Sequence, residues 1–181
     1  LAHRWAAAQD GERVLEVAVG TGLSFRRLLR ANPNGWTDGL DRTPAMLRRA
    51  RRRAERTGLS GWSLRQGTAY ALPYPADHFN LVFNSYMFDL LPASDFEPVL
   101  SEFYRVLVPG GRLVMANMTI GPAWYHQVWE MLYALHPPLL GGCRGVRVRP
   151  AMEAVGFSAV RRAVVSQWTF PSEVLYGRKS A

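Results

Sequence analysis

The sequence is poor in cysteine, in lysine and in uninterrupted apolar runs. Its one cysteine, Cys143, rules out an internal disulfide. No apolar stretch approaches the roughly 18 residues that a membrane-spanning helix needs. The opening Leu1-Ala2-His3-Arg4-Trp5 lacks the basic-then-apolar layout of a secretory leader, so a cytoplasmic location is the default expectation. That opening also lacks Met, which points to a processed or trimmed start. Acidic side chains are scarce as well, 14 against 22 basic ones, and Lys179 is the only lysine among the latter. The resulting net charge of +8 suits a nucleic acid or an anionic membrane surface. The arginine bias beside abundant Ala, Gly and Leu is equally consistent with a compositional bias that has no function. Internal repeats and low-complexity linkers are absent too.

What is present describes one globular unit. At 181 residues and 48% apolar content the chain is long enough for a substantial core in a single domain, 1–181. Strand-like runs at 13–18, 36–41, 62–66, 79–85 and 112–118 alternate with helical spacing at 22–31, 44–57 and 94–107. Thr43 and Pro44 read as an N-cap and first helical residue, and Gly58 as the C-terminal glycine of the same helix. "PGG" at 109–111 reads as a turn into the fifth strand. After a long aromatic-rich insertion at about 121–149, residues 150–155 read as a helix. Two final strands, 158–167 and 172–178, are expected to pair antiparallel. Strands alternating with helices predict an α/β fold: a Rossmann-like, seven-stranded, mostly parallel sheet with helices on both faces and an antiparallel C-terminal strand.

The chemistry gathers where strands end in glycine. In "VLEVAVGTGLSF", residues 14–25, a buried strand runs into Gly20 and Gly22 with Glu16 set among its apolar residues. A carboxylate there is costly unless a ligand needs it. Open α/β sheets bind ligands beyond the carboxyl ends of their strands, and an acidic residue ending the second strand, here Asp41, suits ribose hydroxyls. A dinucleotide site would ask for a third glycine where Phe25 stands, and Glu16 would repel a pyrophosphate. A cofactor with a cation, a ribose and no phosphate fits better, which describes S-adenosyl-L-methionine.

Four segments in order, "VLEVAVGTGLSF", "GLDRTPAMLRRA", "GTAYALPYPADHFNLVFNSYMFDLLP" and "FYRVLVPGGRLVMANMT", resemble the successive motifs of class I S-adenosylmethionine-dependent methyltransferases. The likeness is greatest to the small bacterial group that includes quinone and phospholipid methyltransferases, and it covers about residues 13–118. It implies that Glu16, Gly20 and Gly22 face the methionine part of the cofactor and that Asp41 binds the ribose. It further implies that Arg42 and Met46 lie near the adenine, that Thr68 and Ala69 reach the adenine edge, and that Asn84 sits beside the methionine. Ala18 stands where the family usually has its first glycine and should fit if the backbone there is extended. Thr68 stands where an aspartate is common, so adenine affinity or selectivity should differ.

Methyl transfer from a sulfonium asks mainly for alignment and exclusion of water, with a base only if the acceptor must lose a proton. Tyr86, Asp89, His126 and Arg144 are candidates, and none is forced into the role. No metal site is expected. The insertion, with Trp124, Tyr125, Trp129 and Tyr133, is expected to cover a small, partly apolar acceptor such as a quinone precursor or a lipid. In "RRARRRAER" an apolar stripe of Met46, Leu47, Ala50 and Ala54 leaves Arg48, Arg49, Arg51, Arg52, Arg53 and Arg56 mainly outward, a solvated face rather than a nucleic-acid site. Attraction to an anionic membrane stays open. So do an RNA or protein acceptor and a cofactor-binding module without catalysis; the latter gains weight if the dozen residues before the first strand are all that precede it. Oligomeric state is not readable.

Overall fold

The computed structural model describes residues 1–119, 144–167 and 170–180. His126, Cys143 and the insertion's aromatic side chains lie outside them. The described elements are α1 (Ala2–Ala6), β1 (Arg13–Val17), α2 (Leu23–Ala31), β2 (Trp36–Asp41), α3 (Pro44–Glu55) and β3 (Trp62–Gln66), followed by β4 (Phe79–Ser85), α4 (Phe96–Val106), β5 (Leu107–Met118), α5 (Arg149–Val155), β6 (Ser158–Gln167) and β7 (Phe170–Arg178). The sheet order is β3-β2-β1-β4-β5-β7-β6. β1 to β5 run parallel, while β7 runs antiparallel to both β5 and β6. The expected sheet, with its antiparallel C-terminal strand, is therefore observed.

Strand alternation sends the two halves of each apolar run to different helices. Leu15, Val17, Val82, Leu113 and Met115 pack against Val99, Leu100 and Phe103 of α4 and Met152 of α5. Val14, Leu81, Phe83 and Val114 face the other way, toward Ala6 of α1 and Leu28 of α2. α4 repeats its apolar residues at helical spacing and buries Phe96, Val99, Leu100, Phe103 and Val106. Each fully buried side chain of this kind contributes about 1.5–3 kcal/mol relative to an exposed one.

Three details differ from the sequence reading. α1 was not anticipated. β5 begins at Leu107, with "PGG" accommodated where its register against β4 jumps from Phe79↔Leu107 to Leu81↔Arg112. Thr43 takes the N-cap position but makes no side-chain cap; its own amide is held by Asp41 Oδ1 at 2.8 Å. That bond closes the turn out of β2, and the first amides of α3 have no side-chain cap from Thr43.

Candidate cofactor and acceptor site

The parallel strands bring β1 and β4 side by side, so the loops leaving them meet at one edge. Glu16 registers between Gly39 of β2 and Phe83 of β4 on the face that carries α2. It is buried, and its Oε2 has no hydrogen-bond partner. Burial first, and the nearby Asp41 second, push its pKa well above the ordinary carboxylate value of 4.5. A buried carboxylate left in this state lacks a donor or a cation, and it lines an open cleft of about 410 Å³ with Ala18, Gly20, Arg27 and Tyr86.

Asp41 binds the turn together. Its Oδ2 accepts the Gly20 amide at 2.8 Å and its Oδ1 the Thr43 amide, while its carbonyl accepts the Gly67 amide at 3.1 Å. The loops after β1, β2 and β3 thus converge on one residue. Gly20 and Gly22 both have positive φ, and at Gly22 an added Cβ would stand 2.8 Å from Ala50 Cα. Only glycine lets α3 approach this turn so closely.

Ala18 corrects an expectation. Its φ is +59°, left-handed rather than extended. A non-glycine residue there carries strain of about 1 kcal/mol or more. Tyr86, at the end of β4, has φ +53°. Its amide donates to Ala116 at 2.7 Å and its hydroxyl lies 3.1 Å from Ser172 Oγ. Two strained residues therefore sit at the ends of adjacent strands and line the same cleft.

The remaining candidates divide. Asn84 is buried, donates from Nδ2 to the Val17 carbonyl at 2.9 Å, and leaves Oδ1 without a partner. Arg42, Met46, Thr68 and Ala69 follow β2 and β3 at the same sheet edge but do not line the cleft. The Thr68 hydroxyl accepts the Tyr70 amide at 3.3 Å, closing its own turn. Asp89 and Arg144 are brought together away from the cleft: the Arg144 amide donates to the Asp89 carbonyl at 3.2 Å and its guanidinium to the Leu91 carbonyl. Of the four candidates for proton transfer, only Tyr86 lines this cleft, and His126 is outside the described residues.

Sequence reasoning missed three side chains here. Arg53 does not point outward; its Nη1 donates to the Thr21 carbonyl at 2.7 Å and lies 3.0 Å from the Thr21 hydroxyl. Arg51 lies over the Trp62 ring, 5.7 Å from its centroid. Arg53→Gln is expected to weaken cofactor binding by about 1 kcal/mol, roughly fivefold, because the turn loses a charge-assisted bond. The triple replacement of Arg48, Arg49 and Arg52 by Gln should leave affinity within about twofold, as exposed charges contribute little. Calorimetry on the two variants checks both statements. The third missed residue is His3, which lines the cleft from α1.

The geometry meets an independent finding: residues 14–111 match the model of the methyltransferase domain. The chain belongs to the methyltransferase domain family. It is 37% identical to the demethylmenaquinone methyltransferase of Thermus thermophilus over 132 residues, 72% of this chain and 59% of that one. It is 38% identical to the malonyl-[acyl-carrier protein] O-methyltransferase of Halorhodospira halophila over 120 residues, 64% of this chain and 37% of that one. The chain therefore spans about half the length of these curated relatives. Among solved structures, Haemonchus contortus phospholethanolamine N-methyltransferase 2, in complex with phosphomonomethylethanolamine and S-adenosylhomocysteine, shares the fold with a TM-score of 0.79. It is 14% identical, over 99% of this chain and 52% of that one.

The cofactor that goes with this methyltransferase family is S-adenosyl-L-methionine, and the residues present fit it. The unpartnered Glu16 oxygen suits its ammonium or sulfonium charge, and the glycine turn leaves room for close approach. Asp41 ends β2 where ribose hydroxyls are expected. No group of His, Cys, Asp and Glu that could hold a metal ion occurs among the described residues. Among the same residues, no helix is long and apolar enough to cross a membrane.

Proposed function

We propose that this methyltransferase transfers the methyl group of S-adenosyl-L-methionine to a small, partly apolar acceptor of phenol or hydroquinone type. The observation that carries the cofactor half is the buried, unpartnered carboxylate of Glu16 beside the Gly20–Gly22 turn. In our reading Glu16 balances the cofactor's positive charge and Asp41 receives its ribose hydroxyls. Arg42, Met46, Thr68 and Ala69 border the adenine, and Asn84 lies beside the methionine.

The acceptor half rests on the relatives' small-molecule chemistry and on the cleft's mixed lining, in which Phe83, Ala116, Val165 and Val174 stand beside Ser85 and Tyr86. The insertion at about 121–149 would close over the acceptor. Its flanks are anchored close by: Thr119 bridges Val146, whose amide donates to the Met118 carbonyl at 3.1 Å.

Calorimetry with S-adenosylmethionine, S-adenosylhomocysteine and NAD tests the first half. Micromolar binding of the first two without NAD is expected, and NAD binding alone would overturn the reading. Transfer of labelled methyl to 1,4-naphthohydroquinone, with an RNA pool as comparison, tests the second. Salt-resistant, sequence-selective methylation of RNA would replace it, because binding through exposed arginines alone falls steeply with salt.

A further inference from the structure

His3 lines the cleft, and the family motifs assign it nothing. The His3 ring stacks on Phe83 of β4, with centroids 4.9 Å apart and planes 19° apart. Its Nε2 lies 3.3 Å from Ser24 Oγ at the start of α2. The short helix that carries it is pinned at its other end. Ala6 is fully buried, and Arg112 donates to the Ala6 and Ala7 carbonyls at 2.6 and 2.9 Å while its guanidinium grips both oxygens of Glu12. The imidazole is thus held in place by stacking and by an anchored helix.

The groups around it narrow the choice of base. Arg27 of α2, Glu16 of β1, Tyr86 after β4 and Leu1 line the same cleft; the Leu1 α-amino group is a further positive charge that lowers the His3 pKa, and Arg4 neighbours His3 on α1. The β5, β6 and β7 positions there, Ala116, Val165, Ser172 and Val174, carry no charge. Burial first, and Arg27 second, lower the His3 pKa below its ordinary 6.5, so the ring is neutral near pH 7 and free to take a proton. Glu16 is unsuited, since a proton accepted there would cancel the charge that faces the cofactor.

We propose that His3 is the proton acceptor for a substrate with an ionisable O–H, a phenol or hydroquinone, bound in this cleft; this rests on the methyl-transfer reading above. The acceptor's oxygen or ring carbon forms its bond to the methyl carbon as the carbon–sulfur bond breaks with its electron pair going to sulfur. The acceptor's proton passes to the imidazole, giving imidazolium, and then to water. Ser24 occupies one ring nitrogen and so orients the other.

The test compares the wild type with His3→Gln and His3→Ala, using labelled S-adenosylmethionine and 1,4-naphthohydroquinone kept reduced. For His3→Gln, kcat should fall about 100-fold or more while cofactor Kd stays within about threefold. The acidic limb of the wild-type pH profile should disappear, and added imidazole should partly restore His3→Ala. Independently of turnover, NMR titration of the His3 ring in the cofactor-free protein should give a pKa below 6.5. A kcat within about threefold of wild type, or a parallel loss of turnover and cofactor affinity, would overturn the proposal. A ring titrating at or above its ordinary value would do the same. Absence of transfer by the wild type itself would overturn the acceptor reading and this proposal with it.

Discussion

Glu16→Gln is expected to move two quantities in opposite directions: the cofactor-free protein becomes more stable above neutral pH, and cofactor affinity falls about 10- to 100-fold. The stability half follows from linkage. Burial, with Asp41 as the second cause, raises the folded-state pKa of Glu16 above its unfolded value. Between those two values the folded state keeps a proton that the unfolded state releases, so stability declines as pH rises through the window. Above the window the folded chain holds a buried carboxylate with no counter-charge. Gln cannot ionise, so this decline should be absent from the variant, whose stability should exceed wild type at pH 8. For a chain of this size each 1 kcal/mol is worth about 2–4 °C in Tm.

The affinity half has the opposite sign because the cofactor supplies the missing positive charge. Losing a charge-assisted contact costs about 1.5–3 kcal/mol. Wild-type affinity should also rise with pH through the same window as Glu16 gives up its proton, and Gln should abolish that slope. Thermal melts at pH 5 and pH 8, with calorimetry at both, measure all three effects. A variant that binds the cofactor like wild type, or melts lower at pH 8 without it, would show that Glu16 has a structural role only.

The parts of the fold that were legible in the sequence are those written in short-range pattern. Branched apolar runs ending at glycine marked β1, β2 and β4, and the helical repeat of α4 marked its buried face. Glu16 stood out because a carboxylate inside such a run violates the pattern that surrounds it. Asp41 was read from the sequence as a ligand-facing acid; its hold on the Gly20 and Thr43 amides was not legible there, since that depends on how three loops converge.

What stayed hidden depends on contacts between distant segments. α1 has five residues, too few to show a period, and His3 acquires its environment from Phe83 some eighty positions away. Arg53 was hidden by its length. The stripe of Met46, Leu47, Ala50 and Ala54 ranks the faces of α3 correctly, yet a guanidinium at the border can still reach the Thr21 carbonyl. The left-handed backbone at Ala18 left no trace in residue type, because the position carries alanine where glycine would have announced it. Together with Tyr86 it puts local strain beside the cleft, where strain persists only if the surrounding structure enforces it. At Tyr86 the enforcing contacts are visible, its amide on Ala116 and its hydroxyl near Ser172.

Asp41→Ala should damage binding and stability together, and the balance between the two decides what Asp41 is for. Without its carboxylate the Gly20 and Thr43 amides lose acceptors that lie 2.8 Å away in both cases. Bonds from amides to a charged acceptor contribute about 1.5–3 kcal/mol when buried. Water can replace part of that at this loop, so a stability loss of about 2 kcal/mol is expected, or roughly 4–8 °C in Tm. If the carboxylate also receives ribose hydroxyls, affinity should drop by a further 1.5–3 kcal/mol, about 10- to 100-fold, measured well below the melting temperature where the variant is folded. Asp41→Asn sharpens the comparison. It keeps one acceptor oxygen and turns the other into a donor that opposes the amide it faces, so it should lie between Ala and wild type in stability. Because the amide side chain carries no charge, its cofactor affinity should stay close to that of Asp41→Ala. A lowered Tm with unchanged affinity in both variants would make Asp41 a clasp for the turn and nothing more.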